Sequence, residues 1–536
     1  MPTWQPCERS GVTCVYHEAI KKTATLKRIK GRFAPNNAAV GEPRLLEQVR
    51  TTSAGQGDEA AFGHGLLVEL GVGASDQWPA CRDLELQQAK TFFDQYTRMA
   101  QAVPFAIQLA STHSNGKDAA TDTHALLSRL LETNPVLLVA AILTGSSSDR
   151  EFEKQADNLF RHVLADRVIV RGQTSPELLQ ALLTYLAWYH RRFELETHQV
   201  YQFLQLANGM VADSGFPKKF SKANIPSPQQ EADSNEIRAF LLCYYLNCGG
   251  GVLGYDRAEN MRCIDSLRNA AMILATVSQR PQDKEAPALV ELLHLVVRHH
   301  TARVSSNCAA KPLEPGPGLL KDWQTTFLHP QTSSTVRSTF HFTTAYSLLK
   351  SSKAKSPSPA DVQVCVYHFQ QLLSNIVDQE LSYLVRMGIV EWAHLITTLF
   401  LLARLGSLTA TGGPPTDSAR PWPVNEYIER FRSLHNSLTQ AEPEADIALR
   451  APHLLSWLDR ILVAVAERAR SFKAHQDESS TDIGHRGSAY ELVNSFLEND
   501  KSASTRALQT PGRSNAEPRL GGEDFWSEFM SDWLNW

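Results

Sequence analysis

Apolar residues recur every three to four positions through most of the chain, the spacing of one helical face. In 178–216, Leu178, Leu179, Leu182, Leu183, Leu186 and Trp188–Tyr189 keep this period, as do Val200, Phe203, Leu204, Leu206 and Met210 after the charged break "HRRFELE". The pattern predicts two antiparallel helices joined by a short polar turn. Ser175-Pro176-Glu177 offers an N-cap followed by proline at the first helical position, and Ser214-Gly215 marks the end. Further helical blocks are expected at about 82–111, 149–165, 236–248, 262–279, 286–304, 337–350, 360–404, 424–439 and 447–475. Strand-like alternation is confined to "RVIVRG" at 167–172, too little for a sheet. The expected fold class is therefore all-α, with disordered flanks. A single large core and two apposed cores fit equally well.

Punctuation divides the chain. Residues 34–81, rich in Gly, Ala and polar side chains, read as a disordered connector, and 82–475 as the helical region. Proline- and glycine-rich stretches at 311–333, 351–359 and 406–423 read as loops, and 476–522 as a flexible tether. The longest apolar runs, "PVLLVAAIL" (135–143) and "LITTLFLLARL" (395–405), are shorter than the roughly 18–20 residues of a membrane span, so no membrane partner is expected. The N-terminus lacks the apolar stretch of a secretory signal, which leaves the cytoplasm or nucleus. Cysteines 81, 243, 248, 263, 308 and 365 are scattered within apolar helical patterns, as buried thiols are.

Charge is uneven although the net value is only −4. Residues 1–33 carry Arg9, Lys21, Lys22, Lys27, Arg28, Lys30 and Arg32 against Glu8 and Glu18. The final stretch "EDFWSEFMSDWLNW" (523–536) holds four acids and no base. Basic head and acidic-aromatic tail point to macromolecular partners more than to small-molecule chemistry.

Catalytic motifs do not emerge. Gly249, Gly251 and Gly254 stand in dinucleotide-fingerprint register, yet helix-patterned sequence precedes them and no acid follows at the required distance. A break after a buried helix is the simpler account. His294, His299 and His300 are five and six apart with no acid between, unlike the two-histidine helix of a zinc protease. No enzyme is expected.

The opening "CERSGVTCVYHEAIKK" (7–22) places six residues between Cys7 and Cys14 and follows them with Val15-Tyr16 and a basic run. It resembles the last third of the fungal binuclear zinc cluster, C-x2-C-x6-C, a loop, then C-x2-C-x6-8-C. Cys7 and Cys14 match the fifth and sixth cysteines. The fourth belongs at position 4, which is Trp4, and residues 1–6 hold none of the first four ligands. "RVIVRGQTSPELLQALLTYLAWYHRRF" (167–193), "QVYQFLQLANGMVADSGF" (199–216) and "EIRAFLLCYYLNCGGGV" (236–252) resemble, in order, the middle regulatory region of the same transcription-factor family. The likeness spans about 82–405. It implies zinc as the family cofactor, with Cys7 and Cys14 as an incomplete ligand set, an all-α regulatory region, a nuclear location, promoter DNA (possibly CGG-containing) and a homo- or heterodimer. Lys21, Lys22, Lys27, Arg28, Lys30 and Arg32 are expected to make sequence-independent phosphate contacts. A solvated basic tail or an import signal is the alternative for them.

In the tail, Phe525, Trp526, Phe529, Met530, Trp533 and Trp536 recur close to one helical face's spacing, interleaved with acids. Such a segment suits a coactivator groove, folding on contact; a terminal helix docked on the protein's own core is the rival. The combined expectation is a nuclear transcription activator of a metabolic or secondary-metabolite gene set. Its alternative is a regulatory interaction protein that dimerises with intact relatives or titrates coactivators.

Overall fold

A computed structural model describes residues 62–72, 77–109, 119–192, 199–221, 234–250, 264–305, 317–351, 358–379 and 381–409, with a few positions between Glu426 and Asn436. Of two compact units, Met1–Gly55 lies wholly outside these residues, and the architecture below is that of Gln56–Trp536. Among the described residues the protein is helical throughout, with no strand.

In chain order the helices are α1 Phe62–Leu70, α2 Pro79–Arg82, α3 Leu86–Ala100, α4 Ala119–Thr133, α5 Pro135–Gly145, α6 Arg150–Leu164, α7 Pro176–Ala187, α8 Val200–Asp213, α9 Phe216–Lys219 and α10 Ser234–Gly250. Then follow α11 Ile264–Val277, α12 Pro281–Lys284, α13 Ala286–Ser305, α14 Pro317–Phe327, α15 Ser334–Ser351, α16 Pro359–Val377, α17 Leu381–Arg386 and α18 Ile389–Thr409. The centre of the first half is α5, apolar all round and buried at every position, enclosed by α3, α4, α6 and α7. A helix without a polar face is stable only inside such a shell. Its last residue, Gly145, packs directly on α3: a Cβ there would collide with the Phe92 carbonyl oxygen, so only glycine permits this approach.

Capping follows sequence logic. Ser175 ends the segment before α7 and its hydroxyl accepts from the Leu178 amide at 3.2 Å, with Pro176 at the first position. Asp149 caps α6 in the same way through the Phe152 amide at 3.0 Å. α7 and α8 pack together, and α8 closes at Gly215 in the left-handed region (φ +69°).

Three buried clusters form. The largest draws on α1 to α13 and takes in Ile389 and Val390 from the start of α18. The second is built by α15 to α18 with Tyr427 and Phe431. The third joins α13, α14 and α15 around Trp323, whose ring stacks on Phe340 at 5.2 Å and whose Nε1 donates to the Ala288 carbonyl at 2.9 Å.

Three expectations need correction. The 34–81 connector is not disordered to its end: α1 and α2 fall inside it, and Phe62, Leu66, Leu67, Leu70, Trp78 and Cys81 belong to the main core, so the helical region begins near 62 and not 82. "RVIVRG" is no strand. Its backbone continues α6 as a π-helical turn over Ala165–Val170, where Arg171 N–H reaches the Asp166 carbonyl at 2.9 Å. Only Val168 is buried there, while Ile169 and Val170 are exposed, and among the described residues there is no strand to use the alternation. The 311–333 loop contains α14, whose Trp323 is buried. Residues 437–475, assigned to the helical region, and the 476–522 tether lie outside the described residues.

Candidate functional site

Every residue singled out at the chain ends lies outside the described residues: Cys7, Cys14, Lys21, Lys22, Lys27, Arg28, Lys30, Arg32, Phe525, Trp526, Phe529, Met530, Trp533 and Trp536. Cys7 and Cys14 supply two thiolates, and tryptophan stands where the resemblance puts the fourth cysteine. Among the described residues no group of three or more His, Cys, Asp or Glu side chains is placed to hold a metal, and no helix is long and apolar enough to cross a membrane.

Inside the core, Gly249 is explained by packing. It lies within α10, where a Cβ would collide with Val390, and the element before the glycines is a helix, not the strand a fingerprint needs. Gly251 and Gly254 are outside the described residues. His294, His299 and His300 lie on α13, with His294 half-buried. The thiols of Cys81, Cys243, Cys248 and Cys365 are buried. Burial pushes the thiols of Cys81, Cys248 and Cys365 up to about 12, so they stay protonated at neutral pH.

The chemistry-bearing groups gather where the two main clusters meet, at the start of α18. Glu391 is the third residue of this helix, placed to turn back on its first turn as in a capping box. It is buried, and Tyr245 of α10 donates to its Oε1 at 2.9 Å. Burial pushes the Glu391 carboxyl up to about 7, against the opposing pull of the helix-start backbone and the Tyr245 hydroxyl. The Tyr245 hydroxyl is itself held well above its usual range by burial and the adjacent carboxylate. Beside this pair, Trp188 Nε1 donates to the Arg386 carbonyl at 3.2 Å. One titratable carboxyl thus sits on the joint between the clusters, with its neutral and ionised forms close in energy near neutral pH.

Two charged networks brace the larger cluster. Arg238 of α10 holds fully buried Asp283 at 2.7 and 3.2 Å, and Ser278 donates to the same carboxylate at 2.6 Å. Arg280 donates to the Ala100 carbonyl at 2.6 Å, tying α3 into the network. Burial lowers the Arg280 guanidinium from its ordinary value, with Asp283 opposing the shift. The second network joins α6 to the turn after α7: Asp157 accepts from the Tyr185 hydroxyl at 2.8 Å and pairs with Arg161 at 2.8 Å and Arg192 at 3.6 Å.

The smaller cluster uses imidazoles instead. His341 and His368 meet Nδ1 to Nδ1 at 2.9 Å, and His394 stacks on Phe342 with ring centres 4.0 Å apart. Burial holds His341 and His368 down at about 4 and His394 at about 3, so all three are neutral at pH 7.

None of these groups was singled out in the sequence. Gly388-x-x-Glu391 before an apolar run is the one local signal for the Glu391 position. The arginine networks and imidazole contacts join residues tens of positions apart and leave no local trace. No family model, curated protein or solved structure matches the chain.

Proposed function

We propose that the chain is a transcription regulator of the fungal zinc-cluster type, acting in the nucleus as an activator of a metabolic or secondary-metabolite gene set. The observation that carries the reading is the order of parts: Cys7-x6-Cys14 with its basic run first, a helical region next, the acidic-aromatic segment 523–536 last. The all-helical character of the described residues supports it, because a regulatory region of this family would be all-α. In this reading the basic run supplies phosphate attraction, the core regulates, and the last segment engages a coactivator or the general transcription machinery. The chain's own residues are assigned no catalytic role.

Trp4 at the place of the fourth cysteine favours a second reading, a regulatory interaction protein without DNA binding of its own. The full chain and a CGG-containing duplex distinguish them. Binding at moderate salt, with a salt dependence that flattens when Lys21, Lys22, Lys27, Arg28, Lys30 and Arg32 are changed to alanine, is the outcome expected of a DNA-bound activator. No binding, together with co-purification with a complete zinc-cluster factor, would assign the chain to the second reading.

A further inference from the structure

His341 on α15 and His368 on α16 point their Nδ1 atoms at each other across the packed helices, 2.9 Å apart, with ring centres at 5.2 Å. Two neutral imidazoles satisfy this contact in one way only: one Nδ1 carries the hydrogen and the other accepts it. Burial keeps both rings neutral at pH 7, so protons do not compete for the ring lone pairs. The helices therefore hold two nitrogen donors, one from each, on a single point between them.

The surroundings set this pair apart from a histidine buried for packing. His394 of the same cluster is buried with its ring flat on Phe342. His341 and His368 are only half-buried. On α16, Tyr367 beside His368 is 55 % exposed and Val364 one turn earlier 43 %. The pair thus lies at the rim of the smaller cluster, within reach of water. Phe340 packs edge-on against both rings, at 5.4 and 5.9 Å, and fixes them from the side of the core. The Arg337 charge acts on His341, but its guanidinium is drawn to the Thr332 and Pro330 carbonyls at 2.8 and 3.0 Å.

The spacing selects the ion. Two metal–nitrogen bonds of about 2.0 Å put their nitrogens about 2.8 Å apart at a right angle and about 3.3 Å apart at the tetrahedral angle. The observed 2.9 Å fits the right angle, which is that between adjacent corners of the tetragonal centres Cu(II) and Ni(II) form with nitrogen and oxygen donors.

We propose that His341 and His368 form a two-histidine site for Ni(II) or Cu(II), with the imidazoles on adjacent corners and water on the others. On binding, each ring turns its lone pair from its partner to the ion. The Nδ1 hydrogen moves to Nε2 of the same ring, so both ligands stay neutral. The ion clamps α15 to α16 and so stabilises the smaller cluster. The inference does not depend on the transcription reading.

Calorimetric titration of the full chain with Ni(II) tests it, all proteins carrying Cys7→Ser and Cys14→Ser so that the head thiols do not report. His341→Gln and His368→Gln keep a hydrogen-bonding side chain and should each weaken binding at least about tenfold. The double variant should lose no more than either single one, because a chelate fails when one arm is gone. Ni(II) at ten times its dissociation constant should raise Tm by about 2 °C, and neither variant should show the rise. Electron paramagnetic resonance of the Cu(II)-loaded chain should show two coordinating nitrogens that His368→Gln reduces. Should His341→Gln fail to fold, His368→Gln and His368→Phe, at the less buried of the two positions, carry the test. No Ni(II) binding, binding retained in the variants, or losses that add in the double variant would overturn the site.

Discussion

The two main clusters bury polarity in different currencies. In the larger one, Arg238, Arg280 and Asp283 are charged and hydrogen-bonded, and Arg161, Arg192 and Asp157 repeat the arrangement. In the smaller one, His341, His368 and His394 are neutral and rest on each other or on Phe342. Burying a charge is tolerable only with a partner in place, whereas burying a neutral imidazole is inexpensive until the pH falls. The larger cluster should thus be sensitive to losing one partner of a pair and the smaller to acid, with Glu391 on the joint responding in the opposite sense to the histidines.

Asp283→Asn should have the largest effect. It strands Arg238 and Arg280 without their carboxylate and is expected to cost about 3 kcal/mol of stability in denaturant titrations near pH 7. A loss below ~1 kcal/mol would show that the network does not brace the larger cluster in the way its geometry suggests.

Acid acts on the smaller cluster with a definite sign. The unfolded chain protonates its histidines near 6.5, while folded His341 and His368 wait until about 4 and His394 until about 3. The unfolded state therefore binds more protons in between, and stability is full above 6.5 and lost as pH falls towards 4. His394→Phe keeps an aromatic ring on Phe342 without a titrating group. It should remove about 2 kcal/mol of the difference in stability between pH 7.5 and pH 4.5. An unchanged pH profile would locate the acid sensitivity elsewhere.

Glu391 shows the reverse effect. Its folded value of about 7 lies above the ordinary 4.5, so the folded state holds the extra proton, and stability falls as pH rises from 4.5 to 7. Glu391→Gln keeps an acceptor for Tyr245 and should raise stability by about 3 kcal/mol at pH 8 with little change at pH 4.5. Destabilisation at pH 8 would mean that the ionised carboxylate is the form the joint prefers.

The legible part of this fold was its periodicity and its caps. Ser175-Pro176 marks the start of α7, the 286–304 block corresponds to α13, and the all-α class follows from the near absence of alternation. Short elements were missed where local sequence misleads. α1 carries Gly63 and Gly65 and hid within a polar, glycine-rich stretch, although the rest of its face is Phe62, Leu66, Leu67 and Leu70. α14 begins at a proline between glycines, punctuation that reads as loop. "RVIVRG" shows that alternation without a neighbouring strand to pair with does not make a sheet. The 360–404 block is two long helices with α17 between them, because the polar Asp378-Gln379-Glu380 and then Gly388 interrupt the apolar pattern. The buried networks were invisible for a simpler reason: Tyr245 and Glu391, or Met99 and Arg191, are brought together only by the packed fold.

The central claim, that this is a transcription activator whose last segment carries the activity, is tested most directly by fusing the full chain to a neutral DNA-binding module upstream of a reporter. The account predicts activation that is abolished when Phe525, Trp526, Phe529 and Trp533 are changed to alanine while the fusion is produced at the same level. A fusion without activity, or activity untouched by the four substitutions, would contradict it.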